Sequence, residues 1–119
     1  MRIALIHENP EYRRQFALKY IGKYEISLFD SKLYPEEIVA SMKNTGRIDL
    51  AIVSINKNNS LAFDYMRAIR KAYEKATVVA TQSDSDISQS VFEAGYAGAN
   101  TLVDDGDILD GLDSIESLV

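Results

Sequence analysis

The sequence predicts an α/β fold of five consecutive βα units, (βα)5, wound into a parallel sheet with helices on both faces. Apolar runs of strand length alternate five times with segments of helical period over 119 residues. Short turn-rich stretches separate them, with no linker, internal repeat or low-complexity segment. Strictly alternating elements on short connections require right-handed crossovers, and these give a doubly wound parallel five-stranded sheet. The length suits one domain, residues 1–119.

Arg2 to Ile6 reads as strand 1. Asn9 then offers a side-chain oxygen as N-cap, and Pro10 stands at the first helical position, where its missing N–H is no loss. Helix 1 carries Phe16, Ala17, Tyr20 and Ile21 on one face and stops at Gly22. Tyr24, Ile26 and Leu28 alternate in strand 2, which places that strand half exposed at a sheet edge. Helix 2 begins near Pro35, turns Ile38, Val39 and Met42 inward and ends at Gly46.

Strand 3 runs from Leu50 to Val53 with its neighbours, an unbroken apolar run of the kind covered on both faces in a central parallel strand. Helix 3 starts near Ser60 and aligns Leu61, Tyr65, Ile69 and Tyr73. Strand 4 is Thr77 to Ala80, and helix 4 carries Ile87 and Val91 before Gly95. Thr101 to Val103 ends strand 5, and Ile108, Leu112, Ile115 and Val119 form the stripe of the last helix, which Gly111 weakens by about 1 kcal/mol relative to alanine.

With no cysteine and one histidine, the chain has neither a disulfide framework nor the usual zinc patterns, and a reducing cytoplasm is the expected compartment. No apolar run approaches the roughly 18 residues that span a bilayer, and the start MRIALIHENP is broken by polar residues too early for a signal peptide. The net charge of −5 hides an asymmetry. Residues 1–75 hold all 13 Lys and Arg against 9 acids, whereas residues 76–119 hold 9 acids and no basic residue. That second segment repels phosphate backbones and attracts basic partners, so nucleic-acid binding through it is disfavoured.

In open α/β sheets the functional crevice lies beyond the carboxyl ends of the strands. Strand 1 delivers His7 and Glu8 there, strand 3 Ser54, strand 4 Thr81, and strand 5 Asp104 and Asp105. These residues carry a resemblance, over nearly the whole chain, to the receiver domains of two-component response regulators. LIHENP resembles the family's strand 1 segment, where an apolar run leads to adjacent acids. IDLAIVSIN resembles the strand 3 segment that ends in the phosphate-accepting aspartate. VVAT resembles strand 4 with its switch hydroxyl, and FEAGYAGANTLVDDGD the stretch in which an alanine-glycine pair precedes strand 5 and a lysine follows it. The resemblance implies a flavodoxin-like receiver fold with strand order 2-1-3-4-5.

The departures are the informative part. The family's acceptor is a carboxylate, because phosphoryl passes from a phosphohistidine to form a mixed anhydride. Ser54 stands in its place, and a serine hydroxyl is a weak nucleophile without an activating base. The acidic pair aligns with His7 and Glu8, which leaves one carboxylate for a hard Mg²⁺ ion that wants several oxygen ligands, so metal binding at Glu8 is expected to be weak or absent, and no other cofactor is implied. The family's lysine aligns with Asp104, which reverses the local field and repels phosphate. Thr81 and Tyr96 fall at switch-like positions, and Thr81 needs something to pull it.

A bland reading stands beside each sharp one. His7 is a candidate pH sensor beside Glu8 and Asp104, and as an ordinary strand-end histidine it is simply hydrogen-bonded. Ser54 reads as a buried hydroxyl sooner than as a nucleophile. Glu8, Asp104 and Asp105 read as a remnant acidic pocket: a cluster that binds a cation, three separately solvated acids, or, the preferred reading, a site in which Glu8 pairs with Lys57. Tyr20, Tyr65 and Tyr73 belong to core faces, which leaves Tyr96 as the candidate contact with a partner.

The expectation is a non-enzymatic pseudo-receiver in signal transduction, working by protein–protein interaction without aspartyl phosphorylation. Its partner is expected to be basic or apolar and to dock on the acidic face of helix 4, strand 5 and helix 5, with no membrane, no nucleic acid and no charge-paired symmetric dimer. The alternatives are an unorthodox phosphotransfer or hydrolytic site using Ser54 with His7, or the receiver domain of a transcription regulator. A flavodoxin-type ligand module ranks last, because HENPEY has no Gly, Ser or Thr to cradle a phosphate.

Overall fold

The computed structural model describes residues 1–55, 61–82, 94–110 and 115–118. Its elements are β1 (Arg2–Ile6), α1 (Pro10–Tyr20), β2 (Glu25–Phe29), α2 (Pro35–Thr45), β3 (Leu50–Ile55), α3 (Ala62–Ala72), β4 (Thr77–Gln82), β5 (Thr101–Asp104) and a helical turn Asp105–Ile108. All strand pairs are parallel, and the order is β2-β1-β3-β4-β5. Order reverses between β1 and β3, so the crevice of the doubly wound sheet opens at their carboxyl ends.

The period of two along each strand divides the core into two layers. Ala4, Ile6, Ala51, Val53, Ile55, Val78 and Ala80 face α2 and α3, where Ile38, Met42, Tyr65, Met66 and Ile69 cover them. Ile3, Leu5, Leu50, Ile52 and Val79 face the other side, against Tyr12, Phe16 and Tyr20 of α1 and against Ile108 and Ile115. Every residue of β3 is buried, as its unbroken apolar run requires of a strand covered on both faces. β2 lies at the edge, where Leu28 is exposed and Ile26 half-buried.

Local chemistry sets the helix starts. The Asn9 side chain accepts from the N–H groups of Glu11 and Tyr12, with Pro10 at the first position of α1. α2 opens with Pro35 and a reciprocal bond between the Tyr34 N–H and the Glu37 carboxylate, and it ends at Gly46 with φ 105°.

Several boundaries differ from the expectation. The buried stripe of α1 is Tyr12, Phe16 and Tyr20, and Ile21 is not part of it. Ile21 is the extended C-cap residue, 73% exposed, because the helix ends one residue before it. β3 and β4 each run past the expected end, so Ser54 and Thr81 lie within strands and are paired in register instead of standing in turns. α3 begins at Ala62, and Tyr73, its C-cap, is only half-buried. Helical residues 94–97 pass through Gly95, and Gly98 with φ 108° takes the stopping role, with the Ala99 N–H returning to the Ala94 carbonyl. Ser60, Ile87, Val91, Gly111, Leu112 and Val119 lie outside the described residues.

Candidate functional site

The alternation that divides the core also builds the site. On the face toward α1, Leu5, Ile52 and Val79 are followed two positions on by His7, Ser54 and Thr81. β1 pairs Ile6 with Val53, and β3 pairs Ser54 with Thr81, so the three polar residues stand side by side just where the apolar layer ends. All three are buried, at 3%, 1% and 0% exposure. On β5, Val103 is the register partner of Thr81, and Asp105 follows two residues later at the start of the helical turn.

His7 is held on every side. Its Nδ1 accepts from the Asn9 N–H at 3.1 Å, which puts the ring proton on Nε2 by the hydrogen-bond pattern. Nε2 then donates to Asp105 Oδ2 at 3.1 Å. The Tyr12 ring stacks on the imidazole, and the Arg13 guanidinium donates to the His7 carbonyl. Glu8 Oε2 lies 3.6 Å from Nδ1, beyond hydrogen-bond length.

Asp105 is fixed by backbone and side chain together. The Tyr12 hydroxyl donates to its carbonyl at 2.6 Å, and His7 holds one carboxylate oxygen. Burial alone would push this carboxyl up, but the hydrogen bond from His7 and the nearby Thr81 hydroxyl hold it below the ordinary carboxylate range. The same surroundings push the Tyr12 phenol up, through burial first and then the neighbouring Asp105.

Of the residues singled out in the sequence, His7, Glu8, Ser54, Thr81 and Asp105 gather at the carboxyl ends of the strands. Asp104 does not join them; it is exposed, and its side chain caps the Gly106 N–H at 2.9 Å. Tyr96 lies in the helical stretch 94–97, not in a loop, and is 89% exposed. Lys57, the expected partner of Glu8, is outside the described residues. Tyr12 and Arg13 were not evident as site residues. Tyr12 had a readable signal in the aromatic spacing Tyr12, Phe16, Tyr20, whereas nothing in the sequence points the Arg13 guanidinium at a carbonyl.

No protein-family model matches the chain, and no curated protein does. Solved structures do. The chemotaxis protein CheY4 of Vibrio cholerae superposes with a TM-score of 0.79 at 15% identity, over 99% of this chain and 98% of that one. A response regulator of Thermotoga maritima gives 0.76 at 16%, over 98% and 95%. A CheY-like protein of Pseudomonas aeruginosa gives 0.74 at 19%, over 97% and 89%.

The fold is that of the response-regulator receivers.

In a receiver fold the implied metal is Mg²⁺, and the residues here do not fit it. Both nitrogens of His7 are engaged, one oxygen of Asp105 is taken by His7, and position 54 offers a hydroxyl where a carboxylate is wanted. Among the described residues, no three of His, Asp and Glu are grouped to hold a metal. What the arrangement does instead is join the first strand to the end of the fifth by an internal hydrogen-bonded pair. Also among the described residues, no helix is long and apolar enough to cross a membrane.

Proposed function

We propose that this chain is a receiver-type signalling module that acts by contact with another protein and does not carry an aspartyl phosphate at residue 54. The observation that supports this most is the pairing of His7 with Asp105 beside a buried serine. Where a phosphoryl group would need a carboxylate nucleophile, a divalent ion and a balancing cation, the chain offers a hydroxyl, a histidine engaged at both nitrogens and an anion.

The alternative, in which His7 acts as base for Ser54, is disfavoured by the same bonds. A base must have a free nitrogen toward the hydroxyl, and Nδ1 and Nε2 are committed to Asn9 and Asp105. Incubation with acetyl phosphate and Mg²⁺ followed by intact-mass measurement tests the reading. The mass is expected to stay unchanged; a gain of one phosphoryl group on Ser54 revives the enzymatic alternative.

The partner is a protein with a basic or apolar surface, docking on the face of helix 4, strand 5 and helix 5; residues 76–119, which supply that face, hold nine acids and no Lys or Arg. Tyr96, 89% exposed and shortly before β5 in the chain, is an aromatic anchor of the type that carries binding energy. A cytoplasmic setting accords with the absence of cysteine.

A further inference from the structure

Thr81 and Asp105 present an unusual pair of loose ends. The Thr81 hydroxyl is completely buried and closes no hydrogen bond among the described residues. Asp105 Oδ1 is buried and likewise without a closed bond among the described residues, although Oδ2 of the same carboxylate is taken by His7. A buried hydroxyl and a buried carboxylate oxygen are each costly to leave unmade. They lie on adjacent strands: Thr81 pairs with Val103, and Asp105 is two residues further on the same face. The hydroxyl is near enough to help hold the Asp105 carboxyl below its ordinary range.

We propose that the Asp105 carboxylate is a resident anion for Thr81: anchored by His7 through Oδ2, it draws the Thr81 hydroxyl onto Oδ1 and so ties strand β4 to the β5–helix junction from within the chain. A hydroxyl beside an anion donates a charge-assisted hydrogen bond, the strong kind. The state of the β4–β5 surface is then set by a side chain the protein always carries. The device is independent of the signalling reading, and its failure leaves that reading standing.

Nuclear magnetic resonance on the full chain tests it. In the wild type, the Thr81 hydroxyl proton is expected to exchange slowly enough to be observed. Asp105→Asn replaces the charged acceptor by an amide of the same shape; it is expected to abolish that resonance and to shift the amides of Thr81 and Val103. Asp104→Asn, at the neighbouring acid that caps the helical turn, is expected to leave Thr81 unmoved. Thr81→Val removes only the hydroxyl and keeps the branched shape, so it decides the matter should Asp105→Asn not fold: displaced amides at residues 101–108 support the device, and unchanged ones overturn it. A Thr81 hydroxyl proton that exchanges at once in the wild type, or Thr81 shifts that are equal in the two Asn variants, also overturns it.

Discussion

The Tyr12 ring lies flat on the His7 imidazole, with centroids 4.0 Å apart and planes 12° from parallel, while its hydroxyl reaches the Asp105 carbonyl. One side chain of α1 thus positions both ends of the pair that spans the site. Tyr12→Phe keeps the stack and loses the hydrogen bond, so a loss of about 0.5–1.5 kcal/mol is expected. Tyr12→Ala loses the stack and the buried ring together, with an expected cost of about 3–5 kcal/mol. Urea unfolding of the two variants measures the difference, and equal losses would mean that the ring carries no more than its hydroxyl.

The His7–Asp105 pair predicts a pH dependence of stability. A carboxyl whose pKa in the folded state lies below its unfolded value of about 3.9 stabilises the fold at pH values above that. For Asp105 the shift is downward, so its contribution is present at neutral pH and is lost as the pH falls below about 4, through the folded-state value. Melting temperatures taken from pH 7 downward are expected to decline in that window. The decline is expected to be shallower in Asp105→Asn, and identical profiles would show that this carboxyl makes no difference.

Arg70 predicts a second, separate stability effect. Its guanidinium donates to the carbonyls of Gly98, Glu74 and Ala76 and to Asn100 Oδ1, binding α3 to the segment that leads into β5. Arg70→Ala is expected to cost about 1.5–3 kcal/mol, the range for hydrogen bonds to a charged group. Gly98→Ala meets the same side chain, because a Cβ there would stand 3.1 Å from Arg70 Cβ at a backbone φ of 108°. It is expected to destabilise by more than about 1 kcal/mol. Hydrogen exchange of the β5 amides checks both variants, with faster exchange expected in each.

Much of this fold was legible because each strand and most helices carry their own signal. The unbroken apolar run of β3 announced a central strand, the alternation of β2 an edge, and Asn9 with Pro10 the start of α1. The ends were less legible. Ile21 looks like a continuation of the α1 stripe until the chain leaves the helix before it, and Gly95 looks like a stop although Gly98 is the residue with positive φ. In the site, strand-end reasoning found His7, Ser54 and Thr81 because parity fixes their face. It could not choose between Asp104 and Asp105, since the choice depends on where β5 gives way to a helical turn. Long-range partners such as Tyr12 to Asp105, 93 residues apart, have no local signal at all.

The acidic segment predicts behaviour in solution. With nine acids and no Lys or Arg over residues 76–119, two copies facing each other through β5 repel. Sedimentation at low ionic strength is expected to show no dimer formed through this face. A dimer that Tyr96→Ala abolishes would contradict the expectation.

Residue 54 is proposed to carry no phosphoryl chemistry, and a titration with beryllofluoride and Mg²⁺, followed through the amide resonances of Ser54, Thr81 and Asp105, tests this at the site itself. These resonances are expected to stay in place at every concentration. A saturable shift of all three, dependent on both reagents and lost in Glu8→Gln, would contradict it.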